Sequence, residues 1–188
     1  MSTLDYYELQ INDEARWHLA TLTKFDDNTD VDIWAYNKCS IVSNPKNVPF
    51  YVYEDGSHVD YNPTAFSAII ISQRLADILD RICPDDYQRI AVSIKNEIGN
   101  WYVANILNCI ECIDHSKSTI QYYPQYHAEF PGKPRGVVRL VLDNTQIVNH
   151  HIFHVKDWKV AIVISETLKA EFETAGISGV EFTKITYK

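Results

Sequence analysis

Ala68-Ile69-Ile70-Ile71-Ser72 opens the segment Gln73–Ile82, and Ala161-Ile162-Val163-Ile164-Ser165 opens Glu166–Ala175. Each is a short apolar run, then a serine, then about ten residues of helical pattern. An apolar run of that length predicts a buried strand. The serine predicts a helix N-cap, because its hydroxyl accepts a bond from an otherwise unpaired first-turn N–H. The first helix should bury Leu75, Ile78, Leu79 and Ile82 on one stripe and stop at Pro84. The second should bury Leu168 and Phe172, with Gly176 placed as a left-handed C-cap residue. The two segments read as a repeated strand–helix unit. It carries no nucleophile, metal ligand or phosphate loop, so it is architecture.

Outward from these units the chain reads mostly as β. Strands are predicted at 4–11, Trp17–Thr23, Val31–Tyr36 and Phe50–Tyr53, with polar turns between them. Further strands are predicted at Arg89–Ile94, Trp101–Leu107, Val137–Leu142, His151–Val155 and Val180–Tyr187. The stretch His115–Arg135 holds three prolines and four aromatic residues besides His127, which predicts a hairpin and loop. The fold class is therefore α+β, a mixed and mostly antiparallel sheet with two or three short helices. Residues 1–64 read as a β-rich N-terminal part and 65–188 as an α+β region. No linker marks a firm boundary, so one continuous domain fits as well.

A net charge of −8, from 25 acids against 17 bases, argues against a nucleic-acid binder, which must neutralise phosphates. It suits a basic protein partner. Met1–Glu8 has neither a basic region nor an apolar core, so no signal peptide is expected there. No apolar stretch approaches a membrane span. Four cysteines without an export signal read as reduced thiols, and a cytoplasmic protein is expected.

The motifs that carry chemistry are few. Cys109-x-x-Cys112 lacks a second ligand pair for zinc and ends a strand rather than opening a helix, so it reads as two small apolar residues. His150, His151 and His154 form a sequence cluster with Asp157 as the nearby carboxylate. Yet imidazoles four apart on a strand lie about 13 Å apart, too far to share one ion. Asp26–Asp32 imitates a calcium loop but has Val31 where glycine is required and Asn37 where the bidentate glutamate belongs. No G-x-S-x-G or nucleotide loop is present. What remains is surface chemistry. The acidic turns Asp26, Asp27, Asp30, Asp32, Glu54 and Asp55, and the tyrosines Tyr122, Tyr123 and Tyr126, are the candidate partner contacts. Tyrosine offers large contact area at small entropy cost.

The detail around the second unit goes further. His151-Ile152-Phe153 leads to Ile162-Val163-Ile164-Ser165, a helix with Leu168, and Gly176-Ile177-Ser178-Gly179-Val180-Glu181-Phe182. Upstream, Trp101–Asn108 runs into Ile113-Asp114. This resembles a family of bacterial immunity proteins from polymorphic-toxin systems, the one numbered eleven, over residues 65–186. The resemblance implies a non-enzymatic protein that binds a cognate toxin domain and blocks it, in competition between bacteria. It brings no cofactor, no metal and no binding motif. The expectation is occlusion of a basic toxin acting in the cytosol, a nuclease being one candidate, with no nucleic-acid or membrane partner. Two alternatives stand beside it: a small hydrolase using His150, His151 or His154, and a toxin adaptor or chaperone.

Overall fold

Both apolar runs are strands buried on two faces, and this organises the molecule. In the computed structural model, which describes residues 5–12, 15, 17–20, 30 and 32–187, Ile69 and Ile71 enter one core while Ala68 and Ile70 enter a second. Ile162 and Ile164 join the first core, and Ala161 and Val163 enter a third. An alternating strand with apolar residues on both faces must be covered on both. Each fully buried isoleucine contributes about 1.5–3 kcal/mol.

The chain begins with β1 (Tyr6–Ile11), β2 (Trp17–Ala20), a 3-10 turn at Ile33–Asn37, β3 (Val48–Glu54), β4 (Tyr61–Pro63) and β5 (Ile69–Ser72). Helix α1 (Gln73–Ile82) leads to β6 (Tyr87–Ile94), β7 (Trp101–Ile106), β8 (Cys109–Ile110), β9 (Thr119–Tyr122), β10 (Pro134–Arg139) and β11 (Val141–Leu142). After a 3-10 turn at Asn144–Gln146 come β12 (Ile152–Val155), β13 (Trp158–Ser165), α2 (Glu166–Ala175), β14 (Val180–Lys184) and β15 (Thr186–Tyr187). One sheet has the order β2-β3-β6-β7-β5-β4 and the other β14-β1-β13-β12-β8. Parallel pairs occur at β3–β6, β8–β12 and β11–β15, and the remaining pairs are antiparallel. The α+β class with a mixed sheet and two α-helices holds.

The central core is shared by both sheets and both helices, from Leu9 and Tyr61 through Leu75 and Leu79 to Leu168 and Phe172. Ser72 Oγ accepts from the Leu75 N–H at 3.3 Å, and Ser165 Oγ from the Leu168 N–H at 3.2 Å. Past this cap chemistry the two units diverge. Strand β5 lies between β7 and β4, whereas β13 lies between β1 and β12. Helix α1 ends at Cys83 with φ −145°, while α2 ends on Gly176 in the left-handed region at φ 62°. Gly179 is needed for closeness as well: a Cβ there would stand 2.5 Å from the Tyr61 carbonyl oxygen.

A buried carboxylate fastens the first junction. Asp60 accepts from Ser72 Oγ (2.6 Å), the Arg74 guanidinium, and the Ser178 N–H (3.0 Å) and Oγ (2.8 Å). Burial pushes its pKa up, but the bonds from Arg74, Ser72 and Ser178 outweigh that and hold it at about 2. Arg74 also reaches the Ala175 and Gly176 carbonyls at the end of α2, so one side chain ties both helices together.

Three strand predictions need correction. The strand expected over Val31–Tyr36 is a 3-10 turn, because the Asp32 side chain accepts from the Trp34 N–H at 3.1 Å and Tyr36 turns into the core. Val31 itself, like residues 21–23 of the strand expected over Trp17–Thr23, lies outside the described residues. Val137–Leu142 is two strands, since β10 pairs with β9 and β11 with β15. Val180–Tyr187 breaks at Ile185, which is buried and donates its N–H to Tyr6 O at 3.0 Å.

Candidate partner-binding surface

The candidate contacts do not form one patch of one character. Asp26 and Asp27 lie outside the described residues, and Asp30 is exposed. Asp32 caps its 3-10 turn and pairs with Lys38 at 2.7 Å, so its charge is answered locally. Glu54 ends β3 at the surface, and Asp55 beside it accepts from the Gly56 N–H at 2.9 Å. These carboxylates occupy solvated turns of the β2–β3 end of the sheet and the segment before it.

The tyrosines stand elsewhere, at the end of a two-stranded ribbon formed by β9 and β10. Tyr123 packs on His127 at a ring separation of 4.5 Å and on Phe130 at 5.6 Å. His127 Nδ1 accepts from the Glu129 and Phe130 N–H groups at 3.3 and 3.1 Å, which closes the tip. Tyr122 is held by its hydroxyl, 3.0 Å from His115 Nδ1. Tyr126, in contrast, is 90% exposed, and Phe130 and Val138 also face solvent. Packing among Tyr123, His127 and Phe130 thus stiffens the tip and leaves Tyr126 to project. Between this tip and the β13 residues Trp158–Val160 lies an open depression of about 420 Å³ that Lys133, Lys156 and Lys159 border. Val160 is 72% exposed and separates it from a second cleft of about 470 Å³ lined by Leu9, Tyr61 and His154.

The histidine cluster of the sequence is dispersed. His150 Nδ1 meets Asp86 Oδ1 at 2.8 Å, a carboxylate far away in sequence, and not the nearby Asp157. Asp86 also accepts the His151 N–H at 2.7 Å and Asn108 Nδ2 at 2.7 Å, fixing the start of β12. His151 Nδ1 lies 2.8 Å from Ser165 Oγ, which already caps α2 and is wholly buried. His154 is buried beside the β13 bulge, and its Nδ1 has no hydrogen-bond partner. Burial lowers its pKa to about 4, against the opposing pull of the Lys159 and Ala161 backbone. The three imidazoles converge on no common point. Sequence reasoning missed Asp60 and Asp86 because neither sits near its partners along the chain.

Cys109 lies in β8 and Cys112 is buried beside the third core, as two small apolar residues of a β region would be. Among the described residues no group of three or more His, Cys, Asp or Glu side chains is placed to hold a metal ion. No helix among them is long and apolar enough to cross a membrane. The exposed groups here are a stiff aromatic tip, flanking lysines and scattered acidic turns. A search among curated proteins finds no match. A family model described as "Immunity protein family (Imm11)" matches residues 11–187, so the match extends well into the N-terminal part. Matched over nearly its whole length, the chain belongs to the Imm11 immunity protein family, and its function is that of an immunity protein that neutralises a toxin.

Proposed function

We propose that the chain neutralises its toxin stoichiometrically, by covering the toxin's active or substrate-binding surface with the aromatic ribbon tip as anchor. The family match over residues 11–187 carries the immunity role, and the exposure of Tyr126 on a tip stiffened by Tyr123, His127 and Phe130 supports this mode. An aromatic side chain carried on a tip already held in place loses less entropy on binding than one on a loose loop, which is what an anchor residue needs. Asp30, Glu54 and Asp55, unlike the Lys38-paired Asp32, add to the negative field of a chain with net charge −8 and steer a basic toxin toward it. The toxin acts in the cytosol, where the chain meets it, and a nuclease fits a basic partner. The chain itself performs no catalysis in this reading. The dispersed His150, His151 and His154 give the hydrolase alternative no common site.

Titration of the purified toxin domain encoded beside the immunity gene separates the possibilities. Toxin activity should fall linearly and vanish at one equivalent of the chain. Loss of toxin at far less than one equivalent would mean turnover and would overturn occlusion. A complex that forms with toxin activity intact would identify an adaptor. Growth rescue on co-expression of the toxin domain in the cytosol checks the place of action.

A further inference from the structure

The sign of charge reverses on the ribbon. Residues 119–139 hold three cations, Lys133, Arg135 and Arg139, against the single acid Glu129, a local net of +2 on a chain of −8. In the body every described arginine is answered at close range, Arg74 by Asp60, Arg81 by Glu171 and Arg89 by Asp80, as is Lys156 by Glu111, while Lys159 reaches the Asn37 carbonyl and Lys95 forms no ion pair among the described residues. Lys133, Arg135 and Arg139 are all exposed, and none forms an ion pair with a carboxylate among the described residues. Arg135 instead lies 6.0 Å from the Tyr123 ring. The ribbon is a two-stranded sheet of its own, outside both large sheets, and next to these cations it exposes Tyr126, Phe130 and Val138.

We propose that the β9–β10 ribbon is a basic docking arm that seats on an acidic surface of the toxin. The inference rests on the occlusion reading and names the chemistry of the partner's contacted face. Unanswered guanidinium and ammonium groups around aromatic anchors match a carboxylate-bearing surface, since arginine forks onto carboxylates and aromatic side chains fill the pocket between. A phosphate backbone is the other polyanion, but the rest of the chain carries fourteen cations against twenty-four acids and repels it. An acidic body with a basic arm also orients the encounter: a basic toxin that carries one acidic face can dock in only one sense.

Cations on a two-stranded ribbon have a second use, keeping open strand edges from pairing with other chains. The test separates the two. With the toxin domain encoded beside the gene as probe, the triple variant K133E/R135E/R139E should bind at least about 100-fold more weakly than the wild type. Added salt should weaken the wild-type complex steeply and that of the variant little. The neutral variant K133Q/R135Q/R139Q should show an intermediate loss with an unchanged thermal midpoint, which separates docking from folding. Wild-type binding retained in both variants, with or without aggregation, would leave only edge protection and overturn the arm. A wild-type chain that fails to bind this toxin domain sinks the occlusion reading and the arm together. Binding of a labelled single-stranded oligonucleotide by the wild type, lost in the triple variant, would overturn the acidic partner in favour of nucleic acid.

Discussion

In the body of the molecule Arg74 meets Asp60 and His150 meets Asp86, whereas on the β9–β10 ribbon Arg135 and Arg139 meet no carboxylate among the described residues. The residue types are alike and their employment differs. Asp60 is 8% exposed and every bond it accepts positions a junction: the Ser72 cap, the end of α2 through Arg74, and the turn at Ser178. Removing Arg74 there leaves the buried Asp60 charge without its ion-pair partner, and removing Asp60 leaves the Ser72 and Ser178 donors without their acceptor. On the ribbon nothing is buried to be left unanswered, so the same kind of change should spare the fold and register only in binding. Polar chemistry enclosed by the fold holds shape, and polar chemistry turned outward is free for a partner.

The comparison can be broken most forcefully at Asp60. Asp60→Ala takes the acceptor from Ser72, Arg74 and Ser178 at once and should destabilise the chain by about 3 kcal/mol, read as a lower denaturation midpoint. A loss no larger than that of an exposed aspartate would show that the hub does not hold the junction. The wild-type contribution has a pH signature. Because the folded pKa of about 2 lies below the ordinary value of 3.8, it is present in full above that value and fades as pH falls through 2.

The next effect sharpens the contrast within the body itself. His154 is as buried as Asp60, but its folded pKa lies near 4, below the ordinary 6.5. The unfolded chain therefore takes up the proton first. Stability should fall by about 2 kcal/mol between about pH 7 and about pH 5. His154→Leu should flatten that slope in denaturant titrations, and an unchanged slope would place the acid sensitivity elsewhere.

Smaller again is Ser165→Ala, which removes the α2 cap and the His151 contact at a cost of about 1 kcal/mol. Amide exchange in the first turn of α2 would show it. At the far end stands Tyr126→Ala, expected to change stability by less than about 0.5 kcal/mol while weakening toxin binding by 10-fold or more, about 1.4 kcal/mol. A clear loss of stability in that variant would mean that the tip is part of the frame, and the division drawn here would fail.

Much of the frame was legible in the residues themselves. Ile69–Ile71 and Ile162–Ile164 announced buried strands, Ser72 and Ser165 announced caps, and Gly176 announced the end of α2; each of these signals lies within a few residues of what it controls. The errors fell where a distant partner decides. Burial of Tyr36 in a core built by residues far along the chain fixed the 3-10 turn that Asp32 caps locally, and Ile185 split the last strand by bonding to Tyr6. Of the surface candidates, the exposure of Tyr126 agreed with the loop reading, but the cations that border the tyrosines escaped notice, because total charge hides a local reversal of sign.

Sequence alone determined the α+β class, the two capped strand–helix junctions and the resemblance to an immunity family. Local propensity, periodicity and capping act over a turn or a strand and need no partner. Only the tertiary structure decided that Asp60 and Asp86 are hubs, that three clustered histidines part company, and that Lys133, Arg135 and Arg139 stand unanswered among the described residues. Whether a charge is answered depends on which groups folding brings within a few ångströms, and those groups lie scores of residues apart along the chain.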